Sequence, residues 1–240
     1  MTALASVRQR ARVGVNAAIV ASGLLVALPL VALSERLRPG AGRRVAVGAI
    51  RWLARLCGVR VVIDDRGSAI EGPAIFVPNH RSAVDIAVVL LARPGVRFAA
   101  AKELFDIPVL RIAMRALDTV PVDRERPAVA LRRLSDAVRD APDLHLVVFP
   151  DGGMIEAGAP MRFKTGPFAV AIEAGAAVVP MAIAGAAAVL PRGCRFAVRP
   201  GTISIRVLDA LEPDGTAASD RRALRDRAQA AIAGVLGDAG

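Results

Sequence analysis

An α/β fold, with a mixed central sheet flanked by helices and an N-terminal membrane-associated helical segment, is the architecture this sequence predicts. From residue 58 onward, short β-rich runs alternate with helical patterns, which argues for helices packed around a mixed sheet. Before that point, Val13 to Leu33 is an almost unbroken apolar run, long enough for one bilayer crossing of about 20 residues. The chain has 240 residues, 54% of them hydrophobic and 22% charged, so it can bury a substantial core and is not disordered. Composition shifts once, near residue 58, which divides the chain into an N-terminal membrane helix plus amphipathic helix (1–57) and an α/β domain (58–240).

Within the first part, Asn16 is the only strongly polar residue between Val13 and Leu33. Arg8, Arg10 and Arg12 precede the run, and Arg36, Arg38, Arg43 and Arg44 follow it. The run exceeds a typical signal-peptide core, and no small-x-small site closes it before Ser34. A cleaved signal and a buried soluble helix are the competing readings. The richer downstream flank places the main domain on the cytoplasmic side. Pro29 allows a kinked helix that enters the bilayer without crossing it. Arg43 to Val59 is a basic amphipathic stretch with one Trp, suited to a membrane interface or equally to an ordinary surface helix.

In the second part, strands are expected at 59–63, 74–77, 96–100, 119–122, 144–149 and 178–183. Two late strands, 195–198 and 202–207, should pair around Pro200-Gly201. Pro121 cannot donate to a ladder, which makes 119–122 an edge strand. Helices are expected at 82–92, with Ser82 as N-cap, and at 105–117. Further helices should span 127–140, with Pro127 in the first turn, 166–174, ended by Gly175, and 217–236.

The formal net charge is +10, and nearly all the cations are Arg; Lys occurs only at 102 and 164. That balance favours an anionic partner such as a membrane surface, although an Ala/Arg-rich composition accounts for part of it. Aromatics are 3% and Tyr is absent, which argues against nucleic-acid binding by stacking. Cys57 and Cys194 show no disulfide or zinc pattern and read as buried reduced thiols, and no cluster of metal ligands stands out.

The candidate chemistry lies in Asn79-His80-Arg81-Ser82-Ala83-Val84-Asp85. His80 follows a strand and precedes a helix, where ligands bind in α/β sheets, and Asp85 in the first turn could reach back to it. An imidazole with a pKa near 6.5 can take a hydroxyl proton, and a carboxylate can fix its tautomer. Ser82-x-x-Asp85 equally spells a helix-capping box, and on its own the spacing does not decide between the two. The other histidine, His145, lies inside an apolar strand and reads as a strand residue.

The run N-H-x-S-x-x-D resembles the first motif of the glycerolipid acyltransferase family, whose best-known members are 1-acylglycerol-3-phosphate acyltransferases. Thr119-Val120-Pro121-Val122-Asp123-Arg124 is similar to the family's second block, with Asp118 where glycine is usual. Phe149-Pro150-Asp151-Gly152-Gly153-Met154 resembles F-P-E-G-T-R, with Asp for Glu, Gly for Thr and Met for Arg. Phe163-Lys164-Thr165-Gly166, Val179-Pro180 and Leu190-Pro191-Arg192-Gly193 follow in the family's order.

The resemblance implies an enzyme of phospholipid biosynthesis that makes phosphatidic acid or a related diacyl lipid. His80 would be the general base and Asp85 its orienting partner, with Asn79 and Ser82 supporting them. Arg124 would hold the acceptor phosphate, and Asp151 and Gly152 would shape the acceptor site. Lys164 or Arg162 would replace the cation missing at Met154. The donor would be acyl-CoA or acyl-carrier protein, a substrate and not a bound cofactor, and no metal is implied. The acceptor would be a lysophosphatidic acid-type membrane lipid. Met154 leaves open a different lyso-lipid, such as a lyso-ornithine lipid, and the degenerate third block leaves open a non-enzymatic membrane scaffold. The implied location is the cytoplasmic face of a bacterial plasma membrane. Oligomeric state is not implied.

Overall fold

The computed structural model describes residues 3–65, 70–156, 158–194, 196–213 and 218–237. Two antiparallel helices, α1 (Ala3–Leu37) and α2 (Ala41–Leu56), form a hairpin. After it come β1 (Val59–Asp65), β2 (Ala74–Pro78), α3 (Val84–Ala92), β3 (Arg97–Ala101), a 3-10 helix (Lys102–Asp106), α4 (Pro108–Ala116) and β4 (Val120–Val122). The chain then continues through α5 (Pro127–Arg139), β5 (His145–Val147), α6 (Gly166–Ala174), β6 (Ala177–Ala184), α7 (Ala186–Val189), β7 (Gly201–Val207) and α8 (Ala218–Gly237).

The seven strands form one sheet in the order β1-β7-β6-β2-β5-β3-β4. From β6 to β4 all neighbours are parallel; β7 runs antiparallel to β6, and β1 parallel to β7. The sheet is therefore mixed, as expected, and β4 is an edge strand. Every residue of β2 is buried. Its alternate side chains serve two cores, because successive side chains leave opposite faces of a strand. Phe76 joins Val88, Val89, Met181 and Ile205 beneath α2 and α3. Ile75 and Val77 join Leu134, Phe168 and Ile232 beneath α5, α6 and α8.

Four expectations are corrected. The helix expected at 82–92 begins at Val84, with Ala83 at its N-cap; the Ser82 hydroxyl donates to Leu190 O at 2.7 Å and accepts from Val84 N at 3.4 Å. The helix expected at 105–117 is broken into the 3-10 helix and α4, since Pro108 starts a new helix well but cannot sit inside one. Residues 196–198 form no strand. Val198 N donates to Phe196 O at 2.7 Å, Val198 O accepts from Asn16, and Arg199 N donates to Val189 O at 2.8 Å, so these groups are taken by partners other than a neighbouring strand. Arg195 and Ala217, included in the expected elements, lie outside the described residues. Cys57 is buried as expected, whereas Cys194 is only partly so.

The hairpin is docked at both ends. Asn16 is fully buried, and its Nδ2 donates to Cys57 O and Val198 O, both at 2.9 Å. At the other end Glu35 caps α2, accepting from Gly40 N at 2.8 Å and Gly42 N at 2.9 Å. Next to that cap, Arg43 donates to the carbonyls of Pro94, Val96 and Leu117. The outward side of α1 is apolar, with Leu25 77% and Val26 61% exposed. Val7–Leu37 is long and apolar enough to cross a membrane.

Candidate active site

Five strands point their C-terminal ends to one edge of the sheet: β6, β2, β5, β3 and β4. At the middle of that edge the chain leaves β2 as Asn79-His80-Arg81-Ser82 and turns into α3. The residue after β2 is locked sideways. Asn79, 1% exposed, donates to Ile183 O at 2.9 Å and accepts from Ile183 N at 2.7 Å. Its side-chain amide thus stands in for a backbone group and continues the pairing with β6 beyond the strand.

Asp85 sits in the first turn of α3 with its side chain fully buried. Its Oδ2 faces three N–H groups: His80 Nδ1 at 2.9 Å, Arg81 N at 2.7 Å and Ser82 N at 2.8 Å. An oxygen that already accepts from two backbone amides serves as the acceptor for the ring as well. The proton therefore belongs on Nδ1, and the neutral ring keeps the lone pair on Nε2. Asp85 also lies where an acid favours a helix N-terminus, so it serves the helix and the histidine together.

The loop after β5 covers His80 from the other side. The Phe149 ring stacks on the imidazole, with centroids 4.1 Å apart and planes 28° off parallel. Asp151 Oδ2 accepts from His80 N at 3.0 Å, and Ile155 N donates to His80 O at 3.0 Å. Both backbone groups of His80 are thus held by residues 151–155, and its side chain is left 14% exposed. Burial pushes the Asp151 carboxyl up from its ordinary value, against the opposing pull of the His80 N–H and the Arg81 guanidinium. The second Asp151 oxygen is buried without a hydrogen-bond partner among the described residues.

Gly152 follows in the left-handed region at φ 73°. A Cβ there would lie 2.6 Å from Lys164 Cε and 2.7 Å from its Nζ. The lysine side chain therefore lies across the glycine, and its backbone N is fixed to Pro150 O at 2.8 Å. The structure thus brings Asn79, His80, Ser82, Asp85, Asp151, Gly152 and Lys164 into one site. It does not bring Arg124 to His80. That arginine is exposed in the turn after β4, on the same sheet edge but three strands from β2, roughly 14 Å at the usual strand spacing. Its neighbours Asp123 and Glu125 bind Lys102 at 3.0 and 3.3 Å.

Phe149 and the two amides that meet Asp85 are site features that the expected residue roles do not include. The aromatic stands in the F-P-D-G block, which was the available signal; backbone amides carry none. His145 is a β5 residue, with its ring edge-on to Phe76 at 5.5 Å.

Comparison with known proteins places this geometry in context. Residues 43–184 match the protein-family model described as Acyltransferase. A 1-acyl-sn-glycerol-3-phosphate acyltransferase of Limnanthes alba is 30% identical over 200 residues, which cover 81% of this chain and 69% of that protein. The chloroplastic 1-acyl-sn-glycerol-3-phosphate acyltransferase LPAT1 of Arabidopsis thaliana is 29% identical over 138 residues; these are 56% of this chain and only 38% of that longer protein. The crystal structure of the 1-acyl-sn-glycerophosphate acyltransferase PlsC of Thermotoga maritima superposes with a TM-score of 0.73 at 20% identity, covering 93% of this chain and 97% of that one. The fold is shared throughout.

Proposed function

The chain belongs to the acyltransferase family, and on that premise we propose that it is an O-acyltransferase that moves a fatty acyl group onto the hydroxyl of a lysophosphatidic acid-type lipid. The observation that carries this reading is the His80–Asp85 contact of 2.9 Å at the exit of β2. The Asp85 carboxylate holds the Nδ1 proton, and Nε2 takes the acceptor's hydroxyl proton. The freed oxygen attacks the thioester carbonyl of acyl-CoA or acyl-carrier protein. The C–S bond then breaks, and the imidazolium returns its proton to the thiolate. Asp85 stabilises that imidazolium without taking its proton. The donor enters as a substrate, and the enzyme carries no acyl group of its own.

His80→Ala is expected to lower transfer by about 10²–10⁴-fold, the usual worth of a positioned base, with the folded state unchanged by circular dichroism. Full activity in that variant sinks the mechanism.

A second reading concerns the acceptor. Met154 stands where relatives of this pattern carry arginine, and Arg124 is three strands away from His80. Lys164 lies over Gly152 and the Arg81 guanidinium acts on Asp151, so two other cations stand at the site, and Arg124 reaches the acceptor only if its headgroup extends along the sheet edge. An acceptor with less negative charge than the phosphate monoester of lysophosphatidic acid, such as another lysophospholipid or a zwitterionic lyso-ornithine lipid, suits a site that lacks the cation at position 154. A panel of lyso-lipids assayed with the purified protein separates the two: strong preference for lysophosphatidic acid rejects the alternative. Turnover that depends on His80 with any acceptor excludes a non-enzymatic scaffold.

The docked hairpin supports membrane association with α1 lying in the interface. Asn16 and the Glu35–Arg43 end both meet the globular part, so the apolar run between them follows its surface. The location that fits is the cytoplasmic face of a bacterial plasma membrane, where acyl donors are available.

A further inference from the structure

Two residues past β5, the Phe149 ring lies on the His80 imidazole, with centroids 4.1 Å apart and planes 28° off parallel. We propose that Phe149 is a positioning residue of the transfer reaction: its ring fixes the plane of the His80 imidazole, and its π face stabilises the imidazolium formed when His80 takes the acceptor's proton. The proposal rests on the acyl-transfer reading above and gives a task to a residue that reading leaves without one.

Asp85 holds the imidazole at one atom, Nδ1, at 2.9 Å. A ring held at one atom can still tilt about that contact. A flat neighbour in van der Waals reach takes the tilt away, provided its own backbone is fixed. Val148 N donates to Phe76 O at 2.9 Å, which extends the β2–β5 pairing, and Phe149 O accepts from Gly152 N at 3.2 Å. Phe149 also packs against the core cluster that holds Phe76 and Met181. The imidazole is thus held at an edge by a carboxylate and on a face by a ring, so Nε2 keeps one direction. A general base is effective only within hydrogen-bond reach and in line with the proton it takes.

The face of a phenyl ring carries partial negative charge and attracts a cation within about 6 Å of its centroid. His80 is neutral before proton transfer and cationic after it. Stacking area serves both states alike, whereas the attraction between cation and π face exists only in the second. An interaction confined to the charged state lowers the barrier without tightening substrate binding. The site is also dry, with the His80 side chain 14% exposed and Asp85 fully buried, and cation–π attraction is strongest where water is excluded.

The composition of the chain points the same way. Hydrophobic residues are 54% of it and aromatics 3%, so aliphatic side chains do most of its packing. One of them would suffice here if filling space were the whole task. The other histidine, His145, has no such stack and meets Phe76 edge-on, with centroids 5.5 Å apart.

The charged side chains around His80 are the Asp85 and Asp151 carboxylates and the Arg81 and Lys164 cations, with the Glu156–Arg192 pair further along the loop. Substituting Phe149 leaves all of them in place. Phe149→Leu keeps an apolar filling and removes the π face, and Phe149→Tyr restores the ring. The attraction corresponds to a rate factor between about twofold and thirtyfold. Phe149→Leu should lower kcat by that factor, with KM for the lyso-lipid and for the acyl donor unchanged, and Phe149→Tyr should recover most of the loss. Wild-type kcat in Phe149→Leu overturns the proposal, and so does an equal loss in both variants, which makes the ring a filler. A raised KM at wild-type kcat overturns it in favour of a wall of the substrate site.

A second readout needs no turnover. With isotope-labelled histidine, the Cε1–H signals of His80 and His145 are told apart by His80→Ala. In Phe149→Leu the His80 signal should move downfield as the stacked ring is lost. The midpoint of its titration should move to lower pH, by up to about one pH unit, because the charged form loses its π partner. An unmoved midpoint overturns the proposal. If the wild type transfers no acyl group to any lyso-lipid, the acyl-transfer reading falls, and the titration still decides whether Phe149 stabilises the His80 cation.

Discussion

One carboxylate oxygen, Oδ2 of Asp85, receives the His80 ring and two backbone amides, and this explains why Asp in the first turn is both a cap and an orienter. The spacing of five residues from His80 was legible because strand exit, turn and first helical turn are all local. The role of Asp151 was not, because its bond to the His80 amide joins positions 71 apart and one partner is backbone. The Ser82 hydroxyl's bond to Leu190, 108 positions on, was not legible either, although its oxygen also accepts from Val84 N at 3.4 Å at the start of α3. Asp151 carries a pH prediction. Its carboxyl is raised by burial, so the protonated form is favoured in the folded state. The stability it contributes is fully present below its unfolded pKa, near 3.9, and is lost as pH rises through the raised folded value. Asp151→Asn keeps an oxygen for the His80 amide and cannot ionise. Thermal melts across this range should show the wild type losing stability relative to Asp151→Asn as pH rises, and a constant difference rejects this account.

At the scale of elements, strands and helices were read well where alternation or capping is local, and poorly where a distant partner decides. Strand β2 and helix α6 appear as the pattern indicated, down to Gly175 in the left-handed region at φ 63°. The segment 196–198 looked like a strand, but Val198 O is taken by Asn16 of α1, Val198 N by Phe196 O, and the next amide, Arg199 N, by Val189 of α7. Asp118 links the two kinds of reading. It stands where the resembling block has glycine, and it is the one non-glycine residue with positive φ among those described, at 49°. A side chain there costs about 1 kcal/mol or more, offset in part by the Arg43–Asp118 ion pair at 3.5 Å, whose aspartate is 61% exposed. Asp118→Gly should therefore stabilise the chain by up to about 1 kcal/mol, and Asp118→Val should destabilise it by more, because a β-branched residue tolerates this conformation least. Urea unfolding midpoints check both, and an equal loss in the two variants contradicts the strain argument.

For the whole molecule, the apolar run was legible as membrane-seeking, but its orientation was not, because length and hydropathy are the same for a helix that crosses and one that lies flat. On the proposed membrane association, the docking contacts favour the helix that lies flat. Asn16 near one end and the Glu35–Arg43 bracket near the other tie α1 to the same globular part. About 20 residues of helix, roughly 30 Å, lie between those anchors, which is the thickness of a bilayer core. A crossing helix would have to release Asn16 and leave the Cys57 and Val198 carbonyls without their donor, or part from α2 and leave the Gly40 and Gly42 amides without Glu35. Each buried group so stranded costs about 1–3 kcal/mol. An in-plane hairpin keeps all of them and still buries the exposed Leu25, Val26, Leu30 and Leu33 in lipid. In a Cys194→Ser background, cysteines at Arg8 and Arg38 should then react with a membrane-impermeant maleimide from the same side of sealed vesicles, the side that bears the globular part. Labelling of the two positions from opposite sides would require α1 to cross and the docking contacts to open in the membrane.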